Sequence, residues 1–377
     1  MNVRSLGLIV CLNLAALPIA MRPLLITLVG AQRTGGFAGA GLAGGAAAAG
    51  MALTAPWWSR ALLRYGDARV LLVSGALFAG VQLALAASHG PALFAGVAAV
   101  AGLCTPPVAS SLRAMVPRLT SGGLTRAYAV NSVAQEIIYI GGPLWVMAWV
   151  TLAGPAAALA ASTVAGTVAL AAGITLTTRV RGPARRDGSS RLAVPAFYTL
   201  GGTYLAYWIC MGAMWVLLPA FADRAGGPGR AGLLVAVWSA GSLLGGLTVT
   251  ARPLRAPLRN SYLWLLTVLA VTSLPLALPT TAAAMAVAVG AFGLALAPWL
   301  AVSDQLVMAS VGERRSGELY GWLTTIGQVG GAVGAAIAGP LADRYHGGSA
   351  FLEVTAALGI GLAIALGRRH TLSAEPG

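Results

Sequence analysis

Lysine is absent from this chain of 377 residues, and acids are scarce: 10 Asp and Glu stand against 24 basic residues, all arginine. Charged residues make up only 9% of the sequence and hydrophobic ones 58%, a balance that a soluble domain of this size does not tolerate. There are three histidines and three cysteines. His89, His346 and His370 fall in loops or the tail, and neither a Walker phosphate loop nor an HExxH zinc-protease pattern occurs. ATP-driven pumping within the chain is therefore excluded, and no metal or cofactor is expected. Cys11, Cys104 and Cys210 lie far apart without metal-ligand spacing and read as buried free thiols. Arginine without lysine, beside abundant Ala and Gly, reads as coding bias and carries no mechanism.

What fills the chain instead is a series of apolar runs. They are read as Gly7–Ala31, Phe37–Trp58, Ala68–Ala87, Ala92–Leu112, Ala127–Val150 and Ala156–Thr177, then Ala196–Phe221, Gly232–Ala251, Tyr262–Leu278, Ala282–Ala309, Leu319–Leu341 and Phe351–Gly367. Each approaches the roughly 20 apolar residues that cross a bilayer as a helix. The connecting segments alternate in charge. One set holds Arg4, Arg60, Arg64, Arg69, Arg113, Arg118, Arg126, the arginines from Arg179 to Arg191, Arg252, Arg255, Arg259, Arg314, Arg315, Arg368 and Arg369. The opposite set holds only Arg33, Arg224, Arg230 and Arg344. Positive loops stay in the cytoplasm during insertion, which predicts twelve spans in the inner (plasma) membrane with both termini cytoplasmic. The net charge of +14 is spread over short loops, so attraction to the anionic leaflet explains it better than nucleic acid does. Met1 to Ala20 resembles a signal peptide, but its apolar run continues past Arg22 to Val29, which favours an uncleaved first helix.

The longest polar stretch, Arg179 to Arg191, lies at the midpoint. It divides the chain into a six-helix bundle over 1–178, a cytoplasmic linker over 179–195 and a second six-helix bundle over 196–377. The halves are self-similar. At an offset of 192, Pro106 maps to Pro298, Tyr128 to Tyr320, Glu136 to Gln328 and Gly142 to Gly334; at 191, Ala40-Gly41-Leu42 maps to Ala231-Gly232-Leu233 and Gly50 to Gly241. Parallel repeats of this kind imply a pseudo-two-fold axis along the membrane normal.

With these features the chain resembles a major facilitator superfamily transporter over nearly its whole length. The loop Pro56–Arg69 sits where that family carries a Gly-x-Leu-Ala-Asp-Arg-x-Gly-Arg-Arg signature. Arg64, Gly66 and Arg69 match it, while Ser59 replaces the leading glycine and Leu63 the gate-latching aspartate; Asp67 is out of register. A fuller copy, Gly339-Pro340-Leu341-Ala342-Asp343-Arg344-Tyr345, falls on the opposite side by the charge rule. Pro106-Pro107-x5-Arg113 with Ser132-x3-Glu136-x5-Gly142-Pro143 is similar to an actinobacterial group within the family. Of the family's antiporter motif, Gly142-Pro143 is kept, with Ile138 and Val146 in place of flanking glycines. The resemblance implies an all-α fold of two pseudo-symmetric bundles working by alternating access.

Ionisable groups inside spans default to functional hypotheses. Glu136 lies near the middle of the fifth span, beside Gln135, with Ser132 and Tyr139 on the same helical face. It reads as a proton or substrate site, or else as a structural carboxylate paired to a neighbouring helix. Arg22, followed by Pro23, is its expected partner within the first bundle; the alternative is that Arg22 snorkels to the outer interface. Arg113 and Asp304, at equivalent ends of the fourth and tenth spans, read as a gating pair or as two solvated helix ends, with Arg64, Gly66 and Arg69 at the loop. Glu353 is expected at the outer interface, and Asp223 and Arg224 in a loop. Tyr204, Trp208, Met211 and Trp215 form a stripe on the seventh span, read with Gln328 as cavity lining for an apolar cargo or as packing. Gly141-Gly142-Pro143 and Gly330 to Pro340 read as hinges or as close packing of small residues.

The expected function is secondary active transport of a small, lipophilic molecule, coupled to protons and directed outward, by a monomer embedded in the lipid bilayer. A proton-coupled importer or facilitator of a small metabolite is the alternative. A membrane enzyme or sensor is disfavoured, because the spans supply only isolated acids and no polar segment exceeds a linker.

Overall fold

The computed structural model describes residues 3–115, 124–177, 195–227, 229–252, 256–311, 313–345 and 347–372. These are helical throughout, apart from turns and short connections, with no strand among the described residues. Eleven stretches are long and apolar enough to cross a bilayer. One of them, Ile137–Leu176, has 40 residues; a straight helix of that length would reach roughly 60 Å, twice the hydrocarbon thickness. The chain instead doubles back at Gly154, whose φ of +86° and ψ of 170° leave the helix. Trp145 Nε1 donates to Ser162 Oγ at 3.3 Å across this turn, although an unbroken helix would separate those residues by about 25 Å. Glycine supplies the positive φ, and Pro155 opens the next helix, where the N–H it lacks would have had no intrahelical acceptor. The stretch is thus the fifth and sixth spans, and the described residues make twelve crossings.

The first span is Ser5–Thr34, the second Phe37–Leu62, the third Asp67–Ala87 and the fourth Pro91–Leu112. After the helical hairpin come the seventh, Ala196–Arg224, the eighth, Arg230–Val249, and the ninth, Leu258–Ala277. The tenth, Ala282–Val307, the eleventh, Trp322–Arg344, and the twelfth, Gly348–Gly367, complete the chain. Several helices outrun their apolar runs. The second continues to Tyr65, and the seventh to Arg224, so Asp223 and Arg224 are helical rather than loop residues. Arg224 donates to the Tyr345 carbonyl at 2.9 Å and also to that of Ala342. Those groups end the helix Glu313–Arg344, where carbonyls have no intrahelical donor and a cation is favoured.

The chain forms two compact units, Met1–Arg186 and Asp187–Gly377. The stretch 178–194, which holds nearly all of the expected linker, lies outside the described residues. In the first unit, Leu8, Ile9, Leu12 and Ala15 of the first span pack with Leu71, Val108, Leu112, Met115 and Leu170. The first and seventh spans are the most enclosed in their units, with 61% and 78% of their apolar windows buried. Lipid-facing helices stay exposed at no cost because the tails are as apolar as the core.

The internal repeat reappears as matched backbone contacts. A Cβ placed on Gly50 would lie 2.4 Å from the Ala99 carbonyl oxygen, and one on Gly102 would lie 2.0 Å from that of Ala47. In the second unit, Gly241 stands 2.4 Å from the Gly290 oxygen and Gly293 stands 2.5 Å from that of Trp238 by the same measure. All four pairs of positions are related by the offset of 191. The second span therefore meets the fourth, and the eighth meets the tenth, at glycine-to-carbonyl distance. Likewise a Cβ on Gly142 would meet Met21 Sδ at 2.8 Å, and one on Gly334 would meet the Ala213 nitrogen at 3.0 Å, an offset of 192. Gly330 also abuts the seventh span, at 2.8 Å from the Leu205 oxygen, so Gly142, Gly330 and Gly334 are sites of close packing.

Replacing Gly102 or Gly293 with leucine should destabilise the protein by about 1–3 kcal/mol or more, the cost of overpacking a close contact. Gly96→Ala meets no atom within 4 Å and should leave stability unchanged. Thermal unfolding midpoints of the purified protein in detergent check this.

Candidate functional site

The first span is helical in three pieces, Val3–Ala15, Leu17–Ala20 and Arg22–Thr34. Pro18 and Pro23 explain the joints, since each removes an N–H and crowds the carbonyl four residues earlier. Arg22 stands at the second joint. Only 5% of it is exposed, so it does not snorkel. Its Nη1 donates to Thr105 Oγ1 at 2.6 Å, and its Nη2 to Met51 Sδ at 3.4 Å. Both partners are neutral, and they come from the fourth and second spans.

Thr105 sits where the fourth span breaks, between helices Pro91–Leu103 and Val108–Met115. Pro106 and Pro107 have no N–H, and a break inside a membrane must satisfy every carbonyl it frees. Three of them are retaken. Thr105 Oγ1 donates to the Ala101 oxygen at 3.1 Å. The Thr105 N–H turns to the Gly102 oxygen at 3.1 Å. The Leu103 oxygen, which Pro107 would otherwise serve, accepts from Trp58 Nε1 at 3.0 Å. Thr105 thus donates to the backbone while accepting from Arg22, an arrangement in which each bond polarises the next.

Further back along the first span, Asn13 Nδ2 donates to Asn131 Oδ1 at 3.0 Å and to the Ile9 oxygen at 2.8 Å, joining the first span to the start of the fifth. Glu136 lies on the helix that contains Pro143, but its side chain and that of Ser132 are outside the described residues. Among the described residues, Arg22 hydrogen-bonds to Thr105 and Met51. Gln135 and Tyr139 are exposed. Scanning for charge alone missed Thr105, Trp58, Asn13 and Asn131; Pro106-Pro107 was the available signal, because two prolines inside a span demand outside donors.

The other expected positions are dispersed. Arg64 stacks over Tyr65 at 5.2 Å, Gly66 ends the second helix at φ +82°, and Arg69 is exposed. The side chains of Leu63 and Arg113 lie outside the described residues, and Asp304 is exposed. Asp67 accepts from Ser111 Oγ at 2.6 Å, tying the third span to the fourth.

In the second unit the stripe on the seventh span is partly packing. A Cβ on Gly327 would meet Trp208 Nε1 at 2.9 Å, so the indole lies against the eleventh span. Met211 is buried, whereas Tyr204 and Gln328 are half-buried. Trp215 meets Trp238 at 5.6 Å. Tyr207, one step off the stripe, stacks on Trp299 at 4.7 Å, and Trp299 lies 5.5 Å from Tyr262.

Glu353 lies near the start of the twelfth span. Both of its carboxylate oxygens are buried and make no hydrogen bond among the described residues, so it is enclosed by protein there. The turn 347–351 and the seventh span, through Phe351 against Phe221 at 6.4 Å, cover the start of the twelfth helix. The cysteines are free thiols, and only Cys210 is buried. No cluster of metal-ligating side chains occurs among the described residues.

Thr105→Val removes the acceptor of a buried guanidinium and should cost about 1.5–3 kcal/mol, the range for hydrogen bonds to charged groups. Thr105→Ser, which keeps the hydroxyl, should unfold near the wild-type temperature. Thermal unfolding in detergent separates the two.

The sequence matches the profile of the Major Facilitator Superfamily over residues 6–335. No protein of curated function matches it significantly. Among solved structures, it is similar to a bacterial homologue of the human lysosomal transporter Spinster, inward-facing and unoccupied. That likeness has 15% identity and a TM-score of 0.70, and covers 99% of this chain and 98% of the other. It is also similar to a variant of the nucleoside transporter NupG, at 12% identity and a TM-score of 0.78, over 98% of this chain and 100% of the other. At such identities the likeness speaks for the fold.

Proposed function

This chain belongs to the major facilitator superfamily, and from that premise we propose that it exports a small, lipophilic molecule by proton-coupled alternating access. Membership makes it a multi-pass transporter; cargo, direction and coupling are our reading. The observation that carries it is the polar junction in the first unit, where Arg22 reaches the broken fourth span. Broken helices with a buried ionisable group are the means by which transporters of this architecture build a site within the membrane. Glu136 is the proton-carrying group in this reading. Its α-carbon lies about 9 Å along the fifth span from Gly142, which packs on Met21 beside Arg22.

Outward movement is supported by the retained Gly142-Pro143 of the antiporter motif and by the apolar stripe on the seventh span. The charge of the loops supports insertion in the inner membrane with both termini cytoplasmic. Uptake of a small metabolite is the alternative, and the same assay separates the two by the sign of the flux.

The test is flux in proteoliposomes under an imposed pH gradient, with a panel of lipophilic compounds. Glu136→Gln should lower gradient-driven flux at least about tenfold, equivalent to about 1.4 kcal/mol, while leaving exchange without a gradient intact. Unchanged gradient-driven flux in that variant would remove the proton role.

A further inference from the structure

We propose that Arg22 anchors an anionic head group on the cargo, so that the transported molecule is an amphipathic organic anion whose carboxylate is bound at Nη2, in place of Met51. This rests on the transporter reading above and names its substrate class.

Three observations carry it. The first is the mismatch between the charge and its surroundings. Among the described residues, Arg22 is the only buried arginine, and its partners there are a hydroxyl and a thioether. A buried cation is stabilised by an anion far better than by neutral acceptors, and its burial in a membrane core is costly.

The second is that the fold does not require a charge at this position. The offsets of 191 and 192 place Ala213 and Met214 at the equivalent point of the seventh span, and both are fully buried. The matched contact at Gly334 forms there without any charged group. The guanidinium is therefore an addition to the packing of the first span, not a condition of it.

The third is the asymmetry of the two donor nitrogens. Nη1 is held on the buried side by Thr105, which is itself held by the Ala101 carbonyl. Nη2 rests on Sδ of the half-buried Met51, a weak acceptor. A carboxylate arriving there gives up only the weak bond and meets a guanidinium whose plane is already set, which lowers the ordering cost of binding.

The experiment uses the purified full-length protein in detergent with phenylbutyrate, its uncharged counterpart phenylbutyramide, and inorganic phosphate. Binding is read from the shift in thermal unfolding temperature over a concentration series. The wild type should bind phenylbutyrate at least about tenfold more tightly than the amide, and phosphate no better than the amide. Arg22→Gln should erase the preference for the acid, and Arg22→Lys should keep part of it. Met51→Leu, which removes the competing sulfur, should bind the acid at least as tightly as the wild type. The wild-type and Met51→Leu comparisons decide the matter if Arg22→Gln does not fold. Equal shifts from acid and amide, no shift from either, tighter binding of phosphate, or a preference that survives in Arg22→Gln would each overturn the proposal. A neutral compound carried in the flux assay would then leave the transporter reading standing, so the two failures are distinct.

Discussion

Every backbone polar group that a helix break frees inside a bilayer must find a partner within the protein, and the first unit is organised around one such break. Pro106 and Pro107 open the fourth span, and the carbonyls of Ala101, Gly102 and Leu103 are each retaken by a different donor. One of those donors, Trp58, comes from the second span, so the break also binds two helices together. Thr105 can then offer its hydroxyl oxygen to Arg22. The buried guanidinium and the unwound segment thus stabilise each other, and the kinked first span is the element that brings them within reach.

The second organising constraint is the contact of backbone with backbone. Lipid provides no hydrophobic drive for helices to associate, so close approach through small residues does that work. The second span meets the fourth through Gly50 and Gly102, and the eighth meets the tenth through Gly241 and Gly293. These matched contacts hold each unit together in the same way, and they leave other positions free to diverge. Arg22 in one unit and Ala213 or Met214 in the other show that divergence, as do Pro107 and Trp299 at positions related by 192. The first unit has a polar junction where the second has stacked aromatic rings, Tyr207 on Trp299 beside Tyr262.

Much of this was legible in the residues. Span number and repeat follow from run length and offset, because a membrane helix needs about 20 apolar residues in a row and a duplicated unit preserves its spacing. The polar partners were not legible. Asn13 and Asn131 lie 118 positions apart and Arg22 and Thr105 lie 83 apart, and nothing local links them. The enclosure of the Glu353 carboxylate was not legible either, because a place near a span's end says nothing of what packs around it. Helix ends were misjudged for a related reason: hydropathy stops at Trp58 and Phe221, whereas hydrogen bonding carries the helices on to Tyr65 and Arg224.

The sequence by itself determined that this is a polytopic membrane protein of two related halves, because composition, run length and periodicity are properties of the chain read along its length. It also singled out Arg22 as the arginine that loop topology does not explain. What Arg22 touches follows from the packing of the helices alone. A hydroxyl from the broken fourth span and a thioether from the continuous second span meet around the guanidinium, because satisfying a buried polar group is a matter of which side chains meet across helices.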